Sequence, residues 1–148
     1  MSCDAVAAIA FFWLASTGPA HPTTTYATAQ PAAVAHEPMF VDIVKRASLL
    51  KAQVAAFQGN DKPISDGFKT QVGELSALDM KGHLLLAKRG TDGDLKCILR
   101  GISQDLPVKL TAVTAAADRK ARDVALKEMG YLLRDNVEVI TAPPTPPV

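Results

Sequence analysis

The sequence predicts an all-α protein: an up-down-up-down four-helix bundle, preceded by a signal peptide and ending in a Pro-rich tail. Three observations predict it. Apolar residues recur at steps of three and four in four successive segments, Gly, Pro and Asn signals separate those segments at short intervals, and no run alternates long enough to make a paired strand. Val137-Glu138-Val139-Ile140 alternates briefly, but a lone four-residue run has nothing to pair with and reads as a helix end or coil.

The first segment, Ala5 to Ala15, is an unbroken apolar run. Its eleven residues make roughly 16 Å of helix against a hydrocarbon core of about 30 Å, too short to span a membrane and the right length for the apolar part of an export signal. Ala27-Thr28-Ala29 before Gln30 supplies the small-x-small pattern that a signal peptidase cleaves after. The leader lacks a basic n-region: the first cation is Lys45, and Asp4 stands where a positive charge is usual. Cleaved export is the expectation, ahead of an uncleaved interfacial anchor and of a cytoplasmic protein. Cys3 is not a lipoprotein cysteine, because no apolar run precedes it.

The division expected along the chain is a signal peptide over 1–29, a flexible arm over 30–38, the bundle over 39–140 and the Pro-rich tail over 141–148. In the first helix, Phe40, Ile43, Ala47, Leu50, Val54 and Phe57 step 3, 4, 3, 4, 3 along one face, and Gly59-Asn60 stops it. Pro63 and Ser65 open a second helix, on which Phe68, Val72, Leu75, Leu78, Gly82 and Leu86 are expected to share a face, closed by Lys88-Arg89-Gly90. A third begins near Asp92, capped from Thr91-Asp92-Gly93-Asp94, and carries Leu95, Ile98, Leu99, Ile102, Leu106, Leu110, Val113 and Ala117. Pro107 leaves the phase of that series intact, so one kinked helix is expected, with the break at Ala115-Ala116-Ala117 and Asp118 as the next cap. The fourth presents Ala121, Val124, Ala125, Glu128, Met129, Leu132, Leu133, Asn136 and Val137 to about Ile140, where the prolines of the tail end it.

After cleavage the chain would hold 119 residues with a net charge of about +2, too balanced for an extended nucleic-acid footprint. Only Cys97 would survive, which leaves no internal disulfide and a thiol off the expected core axis. Beside Lys96 and Arg100, that thiol is a reactive-thiol candidate and a route to a covalent homodimer. The interleaved Asp118, Arg119, Lys120, Arg122 and Asp123 read as a solvated, ion-paired surface.

Chemistry-bearing constellations are sparse. His83 on the second helix, with Met80 three residues before it and Met39 on the first, are the candidate cofactor ligands, set against the reading of His83 as a boundary histidine with its ring half packed. The shape resembles the cytochrome b562 and cytochrome c′ bundles, but no Cys-x-x-Cys-His occurs and the last helix has no histidine for an axial ligand. A di-metal Glu-x-x-His pairing would need an acid at 80, where Met80 stands. The His-x-x-Lys-Gly of a phosphotransfer bundle is not matched, since Leu84-Leu85-Leu86 follow His83. Only His36 and His83 remain as candidate general bases, and nothing places a serine or Cys97 beside either. Neither catalytic residues, metal ligands nor a cofactor are therefore expected. The expectation is an exported, non-enzymatic accessory or binding protein, periplasmic or secreted, which meets a protein or small-molecule partner in the envelope and touches the membrane only through its signal peptide. A haem or metal carrier and a cytoplasmic signalling bundle are the alternatives.

Overall fold

In the computed structural model the described residues are 34–90 and 94–142. The expected signal peptide, residues 30–33 of the arm, the cap at Asp92 and residues 143–148 of the tail lie outside them. Four helices occupy nearly all of the described chain: α1 (Pro38–Phe57), α2 (Asp66–Lys88), α3 (Asp94–Thr114) and α4 (Arg119–Thr141). There is no strand among the described residues, and Val137 to Ile140 are the last turn of α4.

Local chemistry sets the helix ends. Pro38 starts α1, where its missing N–H costs nothing. Beyond Phe57 the chain turns through Gly59 at φ +70°, a conformation glycine adopts without a Cβ clash. Ser65 caps α2, its Oγ accepting from the Phe68 N–H at 3.2 Å, and Asp118 caps α4, its Oδ1 accepting from the Ala121 N–H at 2.8 Å. α3 ends at Thr114, so Ala117 lies beyond it, and Pro107 sits inside one helix.

Cross-helix pairs give the direction of each helix. Glu37 meets Arg89, Arg46 meets Glu74 and Gln53 meets Gln71, so numbers rise along α1 as they fall along α2. Ser76 with Ser103 and His83 with Lys96 set α3 antiparallel to α2 in the same way. Gly59 bonds Asp123 and Gly130 lies against Val54, which runs α4 back along α1, while Lys109 reaches Glu128 between α3 and α4. Each helix packs on the two beside it, α4 closing on α1.

The core follows the predicted seams with local corrections. On α1, Phe40, Ile43, Ala47, Leu50 and Val54 are buried as expected, and Phe57 stands edge-on to Phe68 with ring centroids 5.3 Å apart. On α2 the buried set is Phe68, Val72, Leu75, Asp79, Gly82 and Leu86: the seam passes through Asp79, and Leu78 is half-buried beside it. On α3, Ser103 joins Leu99, Ile102, Leu106 and Val113, while Ile98 is 39 % exposed. On α4, Leu126 is buried and Val124 is 54 % exposed, because the seam runs 126, 129, 133, 136, 140. Of the arm expected to be loose, Val34 and Ala35 pack against the core, and Glu37 takes two 2.8 Å hydrogen bonds from Arg89. The chain thus begins burying surface before Met39.

Candidate functional site: a buried acid and amide

Among the described residues the core contains three buried polar side chains, Asp79, Ser103 and Asn136. Asp79 on α2 and Asn136 on α4 are both fully buried, and the Asn136 Nδ2–H donates to Asp79 Oδ2 at 2.9 Å. The other oxygen of each group, Asp79 Oδ1 and Asn136 Oδ1, is buried with no hydrogen-bond partner. Burial strips water from the carboxylate and pushes Asp79 up to about 7, against the smaller opposing pull of the Asn136 hydrogen bond. An acid raised toward neutrality inside a helical core is the strongest departure from ordinary packing among the described residues.

At Ser103 the backbone carbonyl also needs a partner, because of Pro107. Proline has no N–H to give the carbonyl four residues earlier, so Ser103 O loses its usual helical partner. The Ser76 hydroxyl on α2 donates to that carbonyl at 2.7 Å. A neighbouring helix thereby satisfies the group that the proline orphans, and α3 continues through Pro107.

The residues singled out from sequence are dispersed. His83 is half-buried and its Nδ1 lies 2.7 Å from the Lys96 carbonyl oxygen. Because a carbonyl only accepts, Nδ1 carries the proton, and the ring ties α2 to the first turn of α3. Met80 and Met39 are half-buried, Met39 packing against the core near the start of α1. Register places Met39 opposite the last turn of α2, about one turn (roughly 6 Å) beyond the level of His83. Between them the centre is closed: a β-carbon on Gly82 would lie 3.2 Å from Leu99 Cδ1, 3.4 Å from Ile43 Cδ1 and 3.5 Å from Phe40 Cε1. No group of three or more His, Cys, Asp or Glu side chains with metal-binding arrangement occurs among the described residues.

One expectation needs correction. Cys97 is half-buried and disulfide-bonded, so it is not the free thiol expected. That expectation rested on losing the other cysteine with the leader, and the other half of the bond lies outside the described residues. In the charged stretch opening α4, Asp118, Arg119 and Lys120 are exposed, Asp118 caps its own helix, Asp123 Oδ1 accepts from the Gly59 N–H at 3.0 Å, and Arg122 donates to the Lys62 carbonyl. These bonds fasten the α1–α2 turn to the start of α4. Around Arg119, Lys120, Val124 and Lys127 the surface forms an open depression of about 400 Å³.

No protein-family model, curated protein or solved structure matches the chain. Its own fold and chemistry define its class, an all-helical protein of four packed helices with one ionisable group in the described core. No described helix is long and apolar enough to cross a membrane.

Proposed function

We propose that this chain is a non-enzymatic accessory or binding protein of the cell envelope, in which the bundle is a scaffold and the partner is met at the surface. The observation that carries this reading is the closure at Gly82, where side chains of α1 and α3 fill the level at which His83 would have to present a cofactor. His83 Nδ1–H donates to the Lys96 carbonyl, which fixes the ring between α2 and the first turn of α3. The interior is invested in holding helices together, by apolar seams, the Ser76 bond to α3 and the Asp79–Asn136 pair. Export rests on the apolar run Ala5 to Ala15 and the Ala27-Thr28-Ala29 cleavage pattern; cleavage there would give a working form from Gln30 onward, without Cys3, in which Cys97 no longer has a disulfide partner in its own chain.

Expression of the whole chain, followed by intact-mass and absorption measurements on the envelope fraction, tests both halves. The expected product begins at Gln30, lacks Trp13 and carries neither colour nor stoichiometric metal. Recovery of the full 148-residue chain from the cytoplasm would overturn export. Stoichiometric haem or metal that disappears in His83→Ala would overturn the scaffold reading and make His83 a ligand.

A further inference from the structure

Asp79 is the only ionisable side chain buried among the described residues, and the pattern of its unmet hydrogen bonds identifies its protonation state. We infer that Asp79 folds as the neutral carboxylic acid, its Oδ1–H donating to Asn136 Oδ1 while the Asn136 Nδ2–H donates to Asp79 Oδ2, so that one proton from solvent closes an acid–amide ring and latches α2 to α4. With Asp79 ionised, the two leftover oxygens are both acceptors, and each is sealed from water without a donor. Two such orphans on one contacting pair are costly separately. A single proton on the acid satisfies both at once, because acid and amide then each donate once and accept once.

The surroundings offer the ionised form no other support. At the level of Asp79 the core positions are Ile43 and Ala47 from α1, Leu99, Ile102 and Ser103 from α3, and Leu133, Asn136 and Ile140 from α4, none of them ionisable. The charged residues flanking that level, Lys45 and Arg46 on α1, Lys96 and Arg100 on α3, and Arg134, Asp135 and Glu138 on α4, stand at half-buried or exposed positions. On α2 itself Glu74 and Lys81 are exposed and His83 is half-buried. None of these charges acts on Asp79; burial and the Asn136 hydrogen bond are the influences on it.

The direction of the pH effect follows. The folded group is raised from the ordinary carboxylate value to about 7, so between about pH 4 and that value the folded chain holds a proton the unfolded chain has released. Stability is therefore lost as pH rises through this window, levels off above it, and is regained on acidification. Glu37 and Asp66, held below the usual carboxylate range by hydrogen bonds from Arg89 and Lys69, act in the opposite sense and only at lower pH. The device makes the bundle tightest in mildly acidic surroundings, in whichever compartment it works.

The test is urea unfolding of the full chain across this window for wild type and Asp79→Asn, with a carbon-13 NMR titration of the Asp79 carboxyl carbon in the folded wild type. The amide that this substitution introduces supplies permanently the donor that the proton supplies to Asp79. Expected for the wild type is an unfolding equilibrium constant that rises by up to about tenfold per pH unit within the window, together with an Asp79 carboxyl still protonated at about pH 6. In the variant the slope across the window collapses, and at about pH 8 it resists urea at least tenfold more in equilibrium constant than the wild type. An Asp79 carbon already at its ionised shift at about pH 6 overturns the proposal, and so does a variant that keeps the wild-type slope. Should the variant fail to fold, the carboxyl titration alone decides.

Discussion

α1 and α2 lie side by side with seams of the same spacing and opposite character. Along α1 every buried position is apolar, Phe40, Ile43, Ala47, Leu50 and Val54, with Phe57 closing the end. Along α2 the same alternation of threes and fours passes through Asp79 and Gly82, a group that resists burial and a residue with no side chain to bury. The difference teaches that in this bundle position on the helix decides burial, and chemistry then has to be accommodated. α1 needs no accommodation. α2 receives Asn136 from α4 for its acid, and Phe40, Ile43 and Leu99 close over its glycine.

The largest effect that would break this comparison lies on the α1 side. Leu50→Ala should destabilise the protein by about 2 to 5 kcal/mol in denaturant unfolding, since it removes a buried seam leucine and leaves a cavity. A cost near that of a surface substitution would mean that the α1 seam is not the apolar wall described.

Gly82→Val sharpens the α2 side. The added branches would have to displace Leu99, Ile43 and Phe40, costing about 1 to 3 kcal/mol by overpacking. Gly82→Ala adds only the β-carbon, which meets the movable end of Leu99 at 3.2 Å, while alanine gains about 1 kcal/mol of helix propensity. The two should therefore differ in thermal midpoint, with alanine close to wild type; equal losses would show rigid backbone-limited contact instead.

Ser76→Ala tests whether α2 also supports α3. It leaves the Ser103 carbonyl unpaired for a cost of about 1 to 3 kcal/mol, and that cost should shrink in a Pro107→Ala background, where the substituted residue regains an N–H for the same carbonyl. A double-mutant cycle showing strict additivity would separate the hydroxyl from the proline. The smallest effect is Lys51→Ala, exposed one step round α1 from Leu50, expected within about 0.5 kcal/mol of wild type by the same unfolding measurement.

Where apolar side chains alone occupy a seam, as on α1, hydropathy and geometry point to the same residues and the reading is correct to the residue. On α2 they diverge. Hydropathy prefers Leu78, whereas continuing the steps from Phe68, Val72 and Leu75 lands on Asp79 and then Gly82 and Leu86. Strict adherence to the spacing is the signal that finds the acid. Asn136 is at seam spacing from Met129 and Leu133 and was legible as a core-facing residue, but its partner was not. Likewise Val124 is apolar yet exposed, because hydropathy names residues able to be buried and the neighbouring helices settle which are.

Local signals decided what depends on a few adjacent residues: four helices, the stop at Gly59, the caps at Ser65 and Asp118 and the turn of the chain between Thr114 and Arg119. These are short-range matters of φ, missing N–H groups and side-chain oxygens within three residues. Tertiary structure alone decided that Ser76 answers the carbonyl freed by Pro107, that His83 bonds the Lys96 carbonyl of α3, and that Asp79 and Asn136 meet in the core. Each of those is a pairing between residues 13 to 57 positions apart, and a pairing exists only once antiparallel packing has set the register and excluded water from the groups it joins.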